Sequence, residues 1–169
     1  MFLACGLFRS RLPWYVSKKY FDRYRRDTSR LPGASSGNPD PVEGDDPRVT
    51  KNGASRQGVR AHLADISFTD AMVGRVLRAL ETGPQARDTS VVLWGDHGWH
   101  QEATQDGSRF LLRERSTRNL LIMAVPGIAS LQAHVGFPAS VIDVYSTEMD
   151  TAGVRPPDGL KGLSLLPFL

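Results

Sequence analysis

Two unbroken apolar runs constrain the fold of this chain more than any other feature of its sequence. Residues 90–94 read Ser-Val-Val-Leu-Trp and residues 120–125 read Leu-Leu-Ile-Met-Ala-Val, which is the length and composition of buried strands. Helical patterns lie before, between and after them. Apolar strands that alternate with helices are typical of a parallel sheet covered on both faces. The sequence therefore predicts an α/β fold, a mostly parallel sheet with helices on both faces.

Three helices are predicted around these strands. The clearest covers residues 58–82, where a core-facing stripe recurs at three- and four-residue steps: Val59, Leu63, Ile66, Val73, Leu77 and Leu80. Asp70 falls on this stripe and is interpreted as a hydrogen-bonded structural carboxylate or a residue at the helix edge. Residues 17–25 are predicted to form a short basic helix, and residues 139–152 form the last predicted helix.

The amino-terminal part is predicted to hold one strand and one long loop. Residues 2–8 form a short apolar run, in which Cys5, the only cysteine, is predicted to be a small buried side chain. Residues 26–58 are rich in Pro, Gly, Ser, Asn and Asp, which indicates a long surface loop. A single cysteine excludes an internal disulfide framework and a cysteine-rich zinc site.

The charge pattern points to no particular macromolecular partner. The chain carries 21 Lys and Arg against 18 Asp and Glu, a net charge of +3. This charge does not require a nucleic-acid partner. Eight of the basic residues lie in residues 9–30; the aromatic residues between them are interpreted as packing of the basic helix, and no nucleic-acid partner is expected. No run approaches the roughly 20 apolar residues that span a bilayer. The first residues lack the basic start of a signal peptide, and localisation stays open.

The loop that follows residues 90–94 is the first place to expect chemistry, because ligands gather at the carboxyl ends of strands in open α/β sheets. It reads Gly-Asp-His-Gly-Trp-His over residues 95–100. Asp96 supplies a hard oxygen ligand, and His97 is able to ligate a divalent ion or to hydrogen-bond a charged oxygen. The pattern fits half of a metal site or a turn whose side chains cap the backbone, and the spacing alone leaves both open.

This loop resembles the metal loop of the sulfatases, with most similarity to the iduronate-2-sulfatase-like group. Residues 2–14 are similar to a family strand that ends in Lys-Pro-His-x-Pro, and further similar stretches follow in the family order at residues 18–22, 63–77, 114–127, 141–147 and 159–167. The resemblance covers almost the whole chain apart from the loop over residues 26–58. It implies part of an alkaline-phosphatase-like sandwich.

The resemblance implies a calcium-dependent sulfuric ester hydrolase. In that family a formylglycine hydrate, derived from a cysteine, attacks sulfur while cations hold the sulfate oxygens. Asp96 and His97 match one pair of the metal ligands. Arg11 and Arg109 stand at the family positions of a catalytic His and a sulfate-binding Lys, and Arg9 stands at the Lys of Lys-Pro-His. A guanidinium does not deprotonate, so Arg11 is not expected to transfer protons as the His would.

Two parts of the family pattern have no counterpart in these residues. They are the Asp-Asp metal pair that lies near the amino terminus in the family and the nucleophile motif Cys-x-Pro/Ala-x-Arg; Cys5 and Arg9 have the right spacing, but Leu7 breaks the motif. We therefore expect residues 1–169 to be a partial sulfatase domain, without the nucleophile half and the smaller carboxyl-terminal subdomain, and inactive alone. A sulfated small molecule or sugar sulfate is the expected substrate. The alternatives are a non-catalytic metal- or anion-binding remnant and a phosphodiester or phosphonate ester hydrolase.

Overall fold

The structure of the protein is a computed structural model that describes residues 1–11, 13–25, 55–98, 117–128 and 134–169. Its elements in chain order are helix α1 (Lys18–Phe21), helix α2 (Ser55–Glu81), strand β1 (Val91–Trp94), strand β2 (Leu121–Ala124), helix α3 (Ile142–Thr151) and a 3₁₀ helix (Leu166–Phe168). They fall into two compact units, of which the first contains the described residues up to Gly83 and the second those from Pro84 onward. Among the helices described, none has the length and apolar character to cross a membrane.

Helix α2 is the longest element, and the prediction of a helix in this region is confirmed. It begins at Ser55 and ends at Glu81, where the N–H of Gly83 donates to the carbonyl of Leu80 at 2.8 Å and Pro84 prevents continuation. The predicted core stripe is wrong in detail: only Val59 is buried, while Ile66 and Leu77 are exposed. The buried positions include Ala64, Asp65 and Ser67 instead.

The segment before α2 covers the amino-terminal half of that helix. Trp14 and Tyr20 are buried, and the Tyr20 ring meets the Phe68 ring edge-on at 5.4 Å. The Arg60 guanidinium donates to the carbonyl of Phe21 at 2.9 Å and to that of Tyr24 at 2.6 Å. These contacts confirm that Trp14 and Tyr20 are packing residues, whereas Tyr15 is 76% exposed and the packing interpretation is wrong for it. They also explain why the predicted apolar stripe is not the buried face of α2, because the contacts concentrate on this helix between residues 60 and 68.

The strand predicted over residues 2–8 is absent from the structure. These residues have no regular structure, Phe2 and Phe8 are 84% and 69% exposed, and Cys5 is exposed rather than buried. A strand needs a hydrogen-bonded neighbour, and none of the described residues supplies one here. Asp70 is exposed on α2, which agrees with the helix-edge interpretation and not with a buried, hydrogen-bonded structural carboxylate. The helix predicted over residues 17–25 is confirmed in the shorter form of α1.

The two apolar runs form strands, but they pair in the opposite sense to the prediction. β1 and β2 are antiparallel, with Val92 opposite Met123 and Leu93 opposite Ile122. Apolar composition indicates burial and carries no signal for strand direction, so the predicted parallel pairing is wrong for this pair. In the part of the second unit that the structure describes, no helix packs on this ribbon. The alkaline-phosphatase-like sandwich is therefore not seen in these two strands.

The carboxyl-terminal segment is attached to α3, which confirms the last predicted helix over a shorter span. Ser146 and Thr147 are buried polar residues on α3, and the Ser146 hydroxyl donates to the carbonyl of Gly162 at 2.8 Å. The Asp143 carboxylate accepts the N–H of Leu163 at 2.9 Å and that of Ser140 at 2.7 Å. Of the predicted loop over residues 26–58, residues 26–54 lie outside the described residues and residues 55–58 belong to α2.

Candidate metal loop and arginine turn

Residues 95–98, named here the metal loop, follow the end of β1, and hydrogen bonds to the backbone of Gly95 fix where the loop begins. The N–H of Gly95 donates to the carbonyl of Leu120 at 3.0 Å, which extends the β1–β2 ladder by one step. The Asn119 side-chain amide donates to the carbonyl of Gly95. Two hydrogen bonds to the residues just before β2 thus hold Gly95, and Asp96 and His97 follow directly from this anchored residue.

The structure brings Asp96 and His97 together, as the sequence predicts. The Oδ1 atom of Asp96 accepts the backbone N–H of His97 at 3.0 Å, and its Oδ2 atom lies 3.7 Å from Nε2 of His97. Nδ1 of His97 lies 2.7 Å from the carbonyl oxygen of Gly98. Both side chains are exposed. The atoms that remain available to bind a cation, Oδ2 of Asp96 and Nε2 of His97, therefore face solvent at one place.

The hydrogen bond to Gly98 decides which nitrogen of His97 is available to a ligand. A carbonyl oxygen only accepts, so Nδ1 carries the proton, and in the neutral ring Nε2 keeps its lone pair. That lone pair and Asp96 Oδ2 are two electron-rich atoms 3.7 Å apart, an arrangement that a nearby cation stabilises. A backbone carbonyl that holds the other ring nitrogen is a common support for a metal-binding histidine.

The donor set fits part of a metal site. A carboxylate oxygen suits calcium or magnesium, and an imidazole nitrogen suits borderline divalent ions better. Calcium takes six to eight ligands, and the described residues contain no group of three or more His, Cys, Asp or Glu side chains placed to hold a metal. Asp96 and His97 would therefore supply two of the ligands.

Residues 9–11, named here the arginine turn, lie in the first unit. Nη1 of Arg9 donates to the carbonyl of Pro13 at 3.0 Å, and Arg11 is exposed. Ser10 between them has φ +75°, in the left-handed region that favours glycine. Two cationic side chains thus flank a tight turn. Arg109, the other cation predicted at the site, lies outside the described residues.

Sequence reasoning missed two residues that support these segments. Asn119 anchors the metal loop through Gly95, and its signal was a short amide directly before a strand. Asp65 is fully buried on α2 and its Oδ2 accepts the N–H of Ser10 at 2.6 Å; its signal was an acidic residue between the apolar residues Ala64 and Ile66. Burial raises the pKa of Asp65, while the Ser10 hydrogen bond and the charge of Arg9 act to lower it.

Comparison with known proteins identifies the family of the chain. The Sulfatase family model matches residues 8–154. A sulfatase of Formosa agariphila is 29% identical over 91% of this chain and 32% of its own length, and arylsulfatase K of Danio rerio is 32% identical over 72% of this chain and 24% of its own length.

A solved structure agrees. The crystal structure of a Bacteroides thetaiotaomicron protein assigned to the sulfatases has a TM-score of 0.57 and 27% identity over 71% of this chain and 26% of that one. The chain thus spans a third or less of the length of these relatives. The extent of the match to the family model, together with these relatives, shows that the chain belongs to the sulfatase family.

Proposed function

We propose that this chain supplies part of the site at which a sulfatase hydrolyses a sulfuric ester, with Asp96 and His97 as two ligands of a divalent metal. The observation that carries the proposal is the hydrogen bond of His97 Nδ1 to Gly98, which leaves Nε2 as a lone-pair donor 3.7 Å from Asp96 Oδ2. The anchored Gly95 supports it, because a ligand pair needs a rigid backbone. The substrate class is a sulfated small molecule or a sugar sulfate.

Calcium is the metal we propose, from the family resemblance and the carboxylate ligand. When bound, it would draw electron density from the sulfate oxygens and stabilise the charge that develops on them during ester cleavage. The chain's own part is to hold the ligands. Asp96 keeps its backbone contact through Oδ1 and offers Oδ2, and His97 is held through Nδ1 and offers Nε2.

We assign Arg11 and Arg109 to binding of the sulfate oxygens. A guanidinium presents several N–H donors in a planar fork that matches a tetrahedral oxyanion. It also keeps its charge at all working pH values, so Arg11 serves as an electrostatic group and not as a proton donor to a leaving group. Exposure of Arg11 supports this role, because an anion has direct access to the side chain.

We propose further that the 169 residues alone do not turn over substrate. They contain no Cys-x-Pro/Ala-x-Arg motif, and Cys5, although exposed, is followed by Gly6 and Leu7. The nucleophile and the remaining metal ligands are then supplied by residues outside these 169. Measured hydrolysis of an aryl sulfate by the purified chain would contradict this part of the proposal.

The test of the metal assignment is a calcium titration followed by calorimetry. We expect binding by the unsubstituted chain, a loss of about tenfold or more in affinity for Asp96→Ala and for His97→Gln, and no change for Asp158→Ala, an exposed carboxylate on the same unit. Absence of calcium binding, or equal affinity in all four proteins, contradicts the assignment.

A second candidate function is a non-catalytic module that binds a metal or an anion. Arginine at the position of the family His favours it, because Arg11 retains charge and lacks proton transfer. The two candidates differ in one measurement. When the chain is supplied with the missing parts of a sulfatase domain, restored aryl sulfate hydrolysis supports the enzyme, whereas calcium and sulfate binding without hydrolysis supports the module. Hydrolysis of an aryl phosphodiester in place of the sulfate would reassign the ester class within the superfamily.

A further inference from the structure

Asp65 is a fully buried carboxylate whose only described side-chain hydrogen bond is to the arginine turn. Its relative exposure is 0%, its Oδ2 accepts the N–H of Ser10 at 2.6 Å, and its buried Oδ1 has no hydrogen-bond partner among the described residues. An ionisable group buried in this way is costly unless it is paired. The contact with Ser10 is therefore the feature of Asp65 that needs a functional explanation.

The turn that Asp65 holds has an unfavourable backbone conformation. Ser10 is the one non-glycine residue with positive φ in the described ranges, and a side chain in this region is strained unless its surroundings hold it there. The carboxylate of Asp65 accepts the N–H of this residue. Loss of that hydrogen bond frees Ser10 to return to negative φ, which changes the direction in which the chain leaves towards Arg11.

A second contact from the same face of α2 holds the other end of the segment. His62 lies three residues before Asp65, and residues three apart share a helix face. Its ring centroid is 5.1 Å from that of Trp14, which is buried. Helix α2 thus contacts the segment at Ser10 and at Trp14. Arg11 lies between these two positions.

The hydrogen bond depends on Ser10, a departure from the pattern that residues 2–14 resemble. Ser10 stands at the Pro of the Lys-Pro-His-x-Pro pattern that residues 2–14 resemble. Proline has no N–H and does not adopt φ +75°, so a chain with proline here has nothing to donate to a carboxylate at position 65. Ser10 and Asp65 are complementary: one supplies a donor in a strained turn and the other a buried acceptor.

We propose that Asp65 is a positioning residue for the arginine turn, which holds Ser10 in its left-handed conformation so that Arg9 and Arg11 are presented to a tetrahedral oxyanion. The inference rests on the proposed function, because it takes the sulfate group of the substrate as that anion. Asp65 itself does not touch the anion, since its side chain is buried. Its acceptor atom, and not its negative charge, performs the role.

The test compares inorganic sulfate binding by the 169-residue chain and three variants, measured by calorimetry or by shifts of the arginine side-chain resonances. Asp65→Ala removes the acceptor, and we expect affinity to fall about tenfold. Asp65→Asn keeps an acceptor oxygen and removes the charge, and we expect affinity within about twofold of the unsubstituted chain. Asp70→Ala, an exposed carboxylate on the same helix, is the matched control and is expected to change nothing.

A substitution of Ser10 tests the same contact from the exposed side, in case Asp65→Ala does not fold. Ser10→Pro removes the N–H while α2 and its buried face stay intact, and we expect the same loss of sulfate affinity. Hydrogen exchange of the Ser10 amide gives an independent readout. It is expected to be slow in the unsubstituted chain and in Asp65→Asn, and faster in Asp65→Ala.

The outcomes separate the two proposals. Sulfate binding by the unsubstituted chain that Asp65→Ala and Ser10→Pro leave unchanged overturns the positioning role alone. A faster Ser10 amide with unchanged sulfate affinity also overturns it, because the contact is then only structural. Tighter binding by Asp65→Asn would show that the charge of Asp65, and not its acceptor atom, matters. Absence of sulfate binding by the unsubstituted chain, with Arg11→Gln indistinguishable from it, contradicts the proposed function and with it the anion that Asp65 would serve.

Discussion

The hydroxyl of Thr147 accepts the backbone N–H of Leu165 at 2.9 Å, and both residues are buried. The same hydroxyl donates to the carbonyl of Asp143 at 2.7 Å, so its donor and one acceptor position are both used. Thr147 lies on α3 and Leu165 directly precedes the 3₁₀ helix. One side chain therefore connects the helix to the segment that follows it.

Replacement of Thr147 by valine is expected to destabilise the second unit. The shape is retained, but the buried N–H of Leu165 loses its acceptor, which costs about 1 to 3 kcal/mol of unfolding free energy. Urea unfolding followed by circular dichroism measures the loss. Thr151→Val is the matched control, because that hydroxyl donates only to the carbonyl of Glu148 within the helix. Equal stability of the two variants would contradict the role of Thr147.

Gly162 is expected to tolerate no side chain. A Cβ atom at this position would meet the carbonyl oxygen of Ile142 at far less than contact distance, and the carbonyl carbon of Ile142 at 2.7 Å. Both are backbone atoms of α3, so Gly162→Ala must displace the segment or the helix, with an expected loss of about 1 to 3 kcal/mol. Gly136→Ala, where nothing lies within 4 Å, is the control. A Gly162→Ala variant with the unfolding midpoint of the control would rule out the close approach.

His62 is expected to make the stability of the first unit depend on pH. Burial lowers the pKa of His62 to about 4 from 6.5. Between these values the unfolded chain binds a proton that the folded chain does not, so stability rises with pH from about 4 to about 6.5, by on the order of 3 kcal/mol. Urea midpoints across this range measure the slope. His62→Gln is expected to lose it, and an unchanged slope in that variant would assign the pH dependence to other groups.

Glu148 is expected to give the stability of the second unit a pH dependence of the opposite sign. Burial raises the pKa of this carboxyl on α3, and its Oε1 has no hydrogen-bond partner among the described residues. The folded chain holds a proton to higher pH than the unfolded chain, so the contribution to stability is present below 4.5 and is lost as the pH rises through the folded pKa. Glu148→Gln should therefore exceed the unsubstituted chain in stability at pH 7 and match it most closely at acid pH. A variant that is less stable at pH 7 would contradict this.

Asn119 is expected to affect metal binding without being a ligand. Its amide holds the carbonyl of Gly95, directly before Asp96. Asn119→Ala releases this anchor, and we expect calcium affinity to fall about tenfold, as is common when a group that supports metal ligands is removed. Asn119→Asp is the informative comparison, because it keeps the size and replaces the donor with acceptors. Calcium titration measures the affinity of both variants. Unchanged affinity in both would contradict a supporting role of Asn119 in calcium binding.

The candidate site shows how far reading of the sequence extends. Adjacent residues at the end of an apolar run must lie close together, so Asp96 and His97 were predictable as a pair from their order in the chain. The residue that anchors their loop was not, because Asn119 lies 24 residues beyond Gly95, whose carbonyl it holds, and nothing in composition links the two. Asp65 was missed for the same reason: its contact is with Ser10, 55 residues earlier.

The regions of α2, α3, β1 and β2 were predictable from the amino-acid sequence, since apolar periodicity and turn residues act over a few neighbours. α3, β1 and β2 lie within the predicted regions, and α2 begins at Ser55, before its predicted start at residue 58. The tertiary structure set how these elements combine. It set the antiparallel sense of β1 and β2, left residues 2–8 without a strand, and moved the buried face of α2 from the apolar stripe to one that includes Asp65. The physical reason is that strand direction and burial depend on which distant segment lies opposite, and the local pattern carries no record of that partner.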